Sequence, residues 1–454
     1  MENVWRMYGE YMLLITRVFV AALTAILLTS LAQADSLSDI YQSALQNDPV
    51  LRAARATYMA KKETVQQGRA VLLPQLSAST TYRETDNKDA STGANPETTN
   101  YSLNLNQALF NMPAWFQFQS AKQMDQSAQA DFSAHQQALI IRVSEAYFNV
   151  LRAHSNMQTR KAEERAIQRQ LEQTRERFEV GLLPITDVYE AQAIFDEAAV
   201  NSLEARGALD TAFAQLQVLS GRSHHVLAGL RDEFVAIDPK PLDASAWVDF
   251  ALANNLQLKS SQLAKQASRS TAKAAKYKFL PQVSVSANYS KNDSDTLQDN
   301  GSSHPPEQSS ISLNLTMPIH SGGLISSQRR QAAYQATAAE ENFIASKRNT
   351  MQSARSTHQL AITNAARVKA RKQAITSADS ALKATQAGYE VGTRNVVDVL
   401  AGQRTLYQAK RNYANARYDY ILSMMRLKEI SGQLSPKDIV ELDKWLERNI
   451  AIKR

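Results

Sequence analysis

Residues 178–189 read FEVGLLPITDVY, and residues 389–400 read YEVGTRNVVDVL. Phe178, Val180, Gly181 and Asp187 become Tyr389, Val391, Gly392 and Asp398, all displaced by the same 211 positions. The echo continues outward on both sides. LLPQLSASTTY (72–82) returns as FLPQVSVSANY (279–289), YSLNLNQ (101–107) as ISLNLTM (311–317), and LSG (219–221) as ISG (430–432). Near the start, Ala44, Leu45, Asn47 and Leu51 match Ala251, Leu252, Asn254 and Leu258. A fixed order at a nearly constant displacement is the mark of a tandem duplication. The chain therefore divides into a leader (1–34), a first repeat (35–221), a linker (222–242), a second repeat (243–432) and a tail (433–454). The linker mixes Gly, Pro and charge, and reads as a connector with little structure of its own.

Each repeat alternates two kinds of pattern. Ser36–Gly68 is helical, with an N-terminal Ser and few breakers. After Pro74, Leu76, Ala78, Thr80 and Tyr82 alternate with Ser77, Ser79, Thr81 and Arg83, the period-two signature of a strand. A loop rich in Asp, Asn, Ser and Gly follows, and YSLNLNQALF (101–110) alternates again. The second repeat supplies Val283, Val285, Ala287 and Tyr289, then a loop, then Ile311, Leu313, Leu315 and Met317. Strands of about ten residues with one apolar face fit a tilted bilayer span. A hairpin on a soluble core is the ordinary alternative. The uncharged Ser, Asn and Thr of the second face, and the lack of a second apolar layer for the first, argue against it. Four strands cannot close a barrel around a pore, and an open edge cannot lie in lipid. Two chains would give eight strands and a filled interior, and three would give twelve and room for a channel.

Long helices join the strands. Pro113–Phe178 holds no Gly and no internal Pro. Ala121, Met124, Ala128, Phe132, His135, Leu139, Val143, Ala146 and Val150 mark a stripe at spacings of three and four. That period describes a nearly straight helix, and roughly 60 residues reach roughly 100 Å. Gly323–Ala387 has the same grammar. Faces rich in Ala, Ser, Gln and Thr suit close packing around something hollow. A coiled-coil rod is the alternative.

The bulk composition limits the function. The chain has 454 residues, a net charge of +7 and no cysteine, which excludes disulfides, cysteine metal sites and lipidation on Cys. Arg6 and Arg17, the apolar run Val18–Ala32 and the AQA at 32–34 read as a cleaved export signal, with the mature chain beginning at Asp35. For an exported chain, basic excess argues against nucleic acid as partner. The excess lies in two acid-free runs, Lys259–Lys278 and Lys347–Lys372, either solvated helix faces or a docking surface for an acidic partner. The adjacent His224 and His225 have the wrong spacing for two ligands on one helix face. No P-loop, HExxH, GxSxG or dinucleotide turn is present, so no enzyme activity, cofactor or metal is expected.

With LLPQL, YSLNLNQALF, AYFNVL (146–151), the two Val-Gly turns and ANARYDYI (414–421) in order, the chain resembles the TolC-type outer-membrane efflux proteins over essentially its whole mature length. The resemblance implies a mixed α and β membrane protein. In it a homotrimer forms a twelve-stranded outer-membrane β-barrel, four strands per chain, continuous with a long periplasmic α-helical barrel that small equatorial segments, the linker among them, girdle midway. It implies an exit duct for efflux or type I secretion, in contact with outer-membrane lipid. Its partners would be a periplasmic adaptor (membrane fusion) protein and an inner-membrane transporter of RND, ABC or MFS type. A non-conducting structural coiled-coil protein of the envelope is the other reading.

If the strands sit in the outer membrane, each pair of long helices must turn at the far end. Gly181 and Gly392 stand where a helix C-terminus favours a left-handed residue, and Pro184 suits the start of the returning helix. The resemblance implies that these tips form a periplasmic gate. Its residues are Tyr389, Arg394 and Asp398 on the second turn, with Thr186, Asp187 and Gln170 on the first. Tyr389 would bond Asp187, Arg394 would reach a neighbouring chain near Thr186, and Asp398 would form an acidic ring on the axis. Relatives carry a second acidic residue where this chain has Ala401, leaving a single ring. The simpler reading makes Asp187 and Asp398 helix N-terminal carboxylates favoured by the dipole.

Overall fold

The computed structural model describes residues 34–84, 97–294 and 307–453. The expected export signal, except for Ala34, and residues 85–96 and 295–306 between the strands lie outside them. The first repeat contains helices α1 (Leu37–Asn47) and α2 (Pro49–Ala70), strands β1 (Gln75–Glu84) and β2 (Glu97–Phe110), and helices α3 (Met112–Glu179) and α4 (Ile185–Ser220). After strand β3 (Val226–Leu230), the second repeat follows the same order. It contains α5 (Ala244–Asn254), α6 (Leu256–Lys276), β4 (Gln282–Ser294), β5 (Glu307–Thr316), α7 (Leu324–Glu390) and α8 (Val396–Ile430). Helix α9 (Pro436–Asp443) and strand β6 (Leu446–Lys453) close the chain.

The four longer strands form one antiparallel sheet in the order β1-β2-β4-β5. Its register gathers the apolar residues on one face: Leu76 pairs with Leu105, Leu103 with Tyr289, and Val285 with Leu313. The other face is tied by polar side chains, with Ser79 and Ser102 hydroxyls 2.8 Å apart and Asn314 Nδ2 donating to Ser286 Oγ at 2.9 Å. Among the described residues nothing covers the apolar face; Ile311, Leu313 and Leu315 are exposed. Among the described residues β1 and β5 each have one unpaired edge.

Below the sheet the helices lie side by side. α2 packs on α3, α3 on α6 and α6 on α7, so each strand has a helix beneath it. α4 packs on α3, α3 on α8 and α8 on α7 in the other half. No described helix is long and apolar enough to cross a membrane. The expected single helix over 36–68 is two helices, because Asp48 leaves helical geometry (ψ 116°) to cap α2, with Pro49 at its first turn. The second repeat bends at the same place without a proline, since Asn255 accepts from Leu258 N at 2.8 Å.

Asp48 is buried, and Arg142 grips both its oxygens at 3.1 and 2.7 Å. Burial alone would raise its pKa; the Arg142 hydrogen bonds and the Leu51 N–H overcome that and hold the carboxyl below its usual value. A depressed carboxyl contributes stability above its unfolded pKa, which is lost as pH falls through the folded value. Arg142→Ala should cost about 3 kcal/mol, since it leaves a buried charge unpaired. A melting temperature unchanged at neutral pH would refute this.

Midway along the helices sits the largest apolar core, built from residues such as Leu37, Ile40, Leu139, Tyr147, Phe148, Leu216 and Ile421. Here residues 222–242 hold more structure than their composition suggests, at the waist where the resemblance expects a girdling segment. Val226–Leu230 is a strand paired antiparallel with β6, Leu227 facing Ile452, and Tyr147 donates to Ala228 O at 2.7 Å. The run VLAGL is apolar enough to be buried, but its partner lies more than two hundred residues away. The tail is structured too: Asp443 accepts from Leu37 N at 3.0 Å and Ser38 N at 3.1 Å, capping α1. His224 is buried between Asp35 Oδ2 (2.7 Å) and Ser220 Oγ (2.8 Å), a fastening inside this belt.

Two glycines in the belt have positive φ and no room. Gly221 (φ +72°) and Gly432 (φ +70°) follow α4 and α8, and a methyl on Gly432 would lie 2.3 Å from Asn254 O.

Candidate functional site: the paired hairpin tips

The turns at Gly181 and Gly392 are one motif built twice. Gly181 (φ +77°) and Gly392 (φ +79°) follow helices α3 and α7. Leu182 N reaches back to Arg177 O at 2.8 Å and Gly181 N to Phe178 O at 2.9 Å. In the second turn Thr393 N reaches Gly388 O at 2.8 Å and Gly392 N reaches Tyr389 O at 3.2 Å. Each is the paired 6→1 and 5→2 closure of a Schellman cap, which needs a left-handed residue after the helix. Pro184 is the N-cap of α4, where its missing N–H costs nothing.

The return into α8 is held by Asn395, whose side chain accepts from Asp398 N at 2.8 Å, while Asp398 accepts from Asn395 N at 3.4 Å. Asp398 is thus the third residue of a capping box, as the simpler reading expects, and it also meets Arg394 at 3.8 Å. Arg394 lies across Gly388: a methyl there would sit 2.9 Å from its Cγ. Arg394 and Asp398 both remain open to solvent. Thr186 Oγ1 makes only a long 3.5 Å contact to Asp187, its own neighbour.

Beneath the tips a second apolar cluster locks the hairpins together, with Ile167, Leu171, Leu382, Tyr389, Val396 and Leu400 among its members. Tyr389 is in this cluster, and the Arg177 guanidinium stands 4.6 Å from its ring centroid. The expected Tyr389–Asp187 bond is not made within the chain, because the Tyr389 hydroxyl is buried with no hydrogen-bond partner. Gln170 Nε2 and Gln403 Oε1 are likewise buried and unpartnered. One turn pair further up, Glu163 takes Arg411 at 2.5 Å and Arg160 at 3.2 Å.

The structure therefore brings Tyr389 and Gln170 into the interior and leaves Arg394, Asp398 and Thr186 on the surface. Arg177, Gln403 and Glu163 were missed in the sequence. Glu163, Gln170 and Arg177 are spaced by seven, a polar heptad ladder that a search for apolar stripes passes over.

Comparison with known proteins fits this geometry. The family model described as outer membrane efflux protein matches residues 40–222 and 247–433. The chain belongs to that family, which makes it an outer-membrane channel for efflux or secretion rather than an enzyme, with a long periplasmic helical region. It is 34% identical over 422 residues to outer membrane protein TolC of Vibrio cholerae, covering 92% of this chain and 96% of that one. Against TolC of Escherichia coli it is 35% identical over 435 residues, covering 93% and 87%. The outer membrane channel CmeC of Campylobacter jejuni shares the fold at 19% identity, with a TM-score of 0.76 and 90% of each chain covered. The non-conducting rod finds no support: a rod needs neither the amphipathic sheet nor the doubled turns.

Proposed function

We propose that three copies of this chain form one duct. Its twelve strands close in the outer membrane, and its six hairpin tips gate the periplasmic end. The observation that carries the reading is the four-stranded sheet with a bare apolar face and two unpaired edges, which only closure with other copies can place in lipid. The repeat units (35–221 and 243–432) then act as two like staves of each protomer, following a cleaved signal (1–34).

The lower helices support the same assembly. α4 and α7 are the free edges of the row. On α4 the buried residues Ala191, Ala198 and Ala205 recur every seven positions, while Tyr189, Val200, Leu203 and Val218 are exposed on the opposite side. α7 presents the small exposed residues Ala366, Ala370, Ser377 and Ala384 at spacings of four and seven. Counted from the tips, Leu203 and Ala370 both lie roughly 30 Å up. Large side chains on one edge at the height of small ones on the other suit a head-to-tail ring.

At the tips, Arg394 of each copy reaches the next copy near Thr186, and Asp398 lines the narrowest ring. Asp187, Gln170 and Tyr389 complete the gate. Opening needs little rupture of core, because Arg394 and Asp398 are already solvated and the interior below them holds three unpartnered polar atoms. The partners would be a periplasmic adaptor docking on the hairpins and an inner-membrane transporter of RND, ABC or MFS type, which supplies energy and selects cargo.

Single-channel recording in planar bilayers tests this. Wild-type currents should be small and stable, and Arg394→Ser should raise them severalfold. Lys383→Ser, which removes an exposed charge paired with Asp379 on the same helix, should change little. Equal currents in wild type and Arg394→Ser would place the gate elsewhere. A folded protein that forms no channels would overturn the duct.

A further inference from the structure

Every segment that joins the large sheet to the helices carries charge of one sign. Residues 64–74, 109–122, 270–281 and 317–334 contain no Asp or Glu, although acids nearly match bases in the chain as a whole (44 against 51). In the fold these segments are the last turns of α2 and α6 and the first turns of α3 and α7, with the adjoining connections to the strands. Arg69, Lys122, Lys273, Lys276, Arg329 and Arg330 lie in them, and all six are exposed. One of the acid-free runs of the sequence, Lys259–Lys278, ends in this zone.

Aromatic rings are interleaved with these cations. Phe116 of α3 stacks on Tyr277 at 5.1 Å. Lys273 stands 5.7 Å from the Phe116 centroid and Lys276 5.9 Å from that of Tyr277. Lys122 lies 5.0 Å from the Phe118 centroid, and Trp115 is exposed beside it. Among the described residues, Lys278 is the one cation of these segments turned to a side-chain acceptor, Gln328 Oε1 at 2.9 Å.

The face that carries them can be read from α3. Trp115 and Lys122 are seven residues apart and share a side. Ile140 lies eighteen residues beyond Lys122, about five full turns, and so points the same way. Ile140, with Tyr147 and Leu151, is buried in the belt core midway down the helices. When the helices wall a tunnel, the belt must be on the outside, so Trp115 and Lys122 also face outward. The apolar face of the sheet ends just above, where Phe110 pairs with Val283.

We propose that these residues form a basic and aromatic collar that binds the phosphate headgroups of the membrane leaflet facing the helices. The inference rests on the barrel assembly proposed above, and adds the lipid chemistry that sets its depth. Aromatic rings settle at the boundary between hydrocarbon and headgroup, and Lys and Arg just beyond it meet the phosphates. A carboxylate in the same turns would repel those phosphates and compete for the cations. Its absence from all four segments is what a solvated helix face does not require. The collar fixes the strands at one height, so the tips far below hold a constant distance from the membrane.

The test uses the full protein, purified in a neutral detergent and incubated with phosphatidylglycerol or phosphatidylcholine, with retained lipid counted by native mass spectrometry. Wild type should retain severalfold more phosphatidylglycerol than a Lys122→Gln, Lys273→Gln, Lys276→Gln, Arg330→Gln variant. The excess should vanish in about 1 M salt, where screening acts over about 3 Å. Equal retention by both proteins, or an excess that survives salt, would overturn the collar. If the fourfold variant fails to fold, each single Gln variant should lose part of the excess, and no loss in any of them overturns it equally. Conductance of the same samples separates the two readings: a wild type without channels refutes the barrel, whereas normal channels with equal lipid retention refute only the collar.

Discussion

Leu203→Asp should turn the assembled protein into monomers. Leu203 is 71% exposed in the single chain, on the side of α4 turned away from α3. In a ring of three it would be covered three times. Losing that burial costs about 2 kcal/mol per seam. Size-exclusion chromatography with light scattering reads the outcome directly. Leu382→Asp, which strikes the tip core within one chain, should instead damage the fold before assembly. A Leu203→Asp protein that remains a trimer would show that this edge of α4 faces water or the lumen, and the seam would have to be sought on another face.

The second large effect is expected at Gly432. Gly432→Ala places a methyl 2.3 Å from the carbonyl oxygen of Asn254 and demands φ near +70° of a residue with a side chain. The left-handed conformation costs about 1–2 kcal/mol, and the clash with backbone adds about 1–3 kcal/mol. Little folded protein should survive moderate heating. Gly392→Ala is the control, because it has the same positive φ but nothing near the added methyl. It should bear only the conformational cost. Comparable losses in the two variants would mean that the contact with Asn254 relaxes freely and that φ alone matters.

The parts of the fold visible in the sequence are those whose signals are local. Alternation fixed the four strands, and the register then put Leu76, Leu103, Leu105 and Leu313 on one face as read. The turn glycines were legible because a Schellman cap has a residue requirement at one position. What escaped depends on distant partners. VLAGL becomes a strand only because β6 exists, and no property of residues 222–242 announces that. The Arg142 grip on Asp48 joins residues 94 positions apart. At the tips, the resemblance named the buried Tyr389 and Gln170 beside the exposed residues of the turns, while Arg177, Gln403 and Glu163 went unnoticed. The reason is physical. An Arg stacked on a buried Tyr, and a Gln orphaned between helices, look in the sequence like ordinary polar positions on a long helix.

The belt has a consequence for the order in which the molecule comes into being. The Leu37 and Ser38 N–H groups that open the first helix find their acceptor in Asp443, and the strand after the first repeat receives its partner from Leu446–Lys453. Early residues must therefore wait, with open backbone groups, for nearly the last ones made. A nascent chain emerging from an export channel would have its first repeat complete in sequence yet unfinished in structure. A chain truncated before residue 443 would keep both hairpins and most of its strands, but could not fasten its own middle.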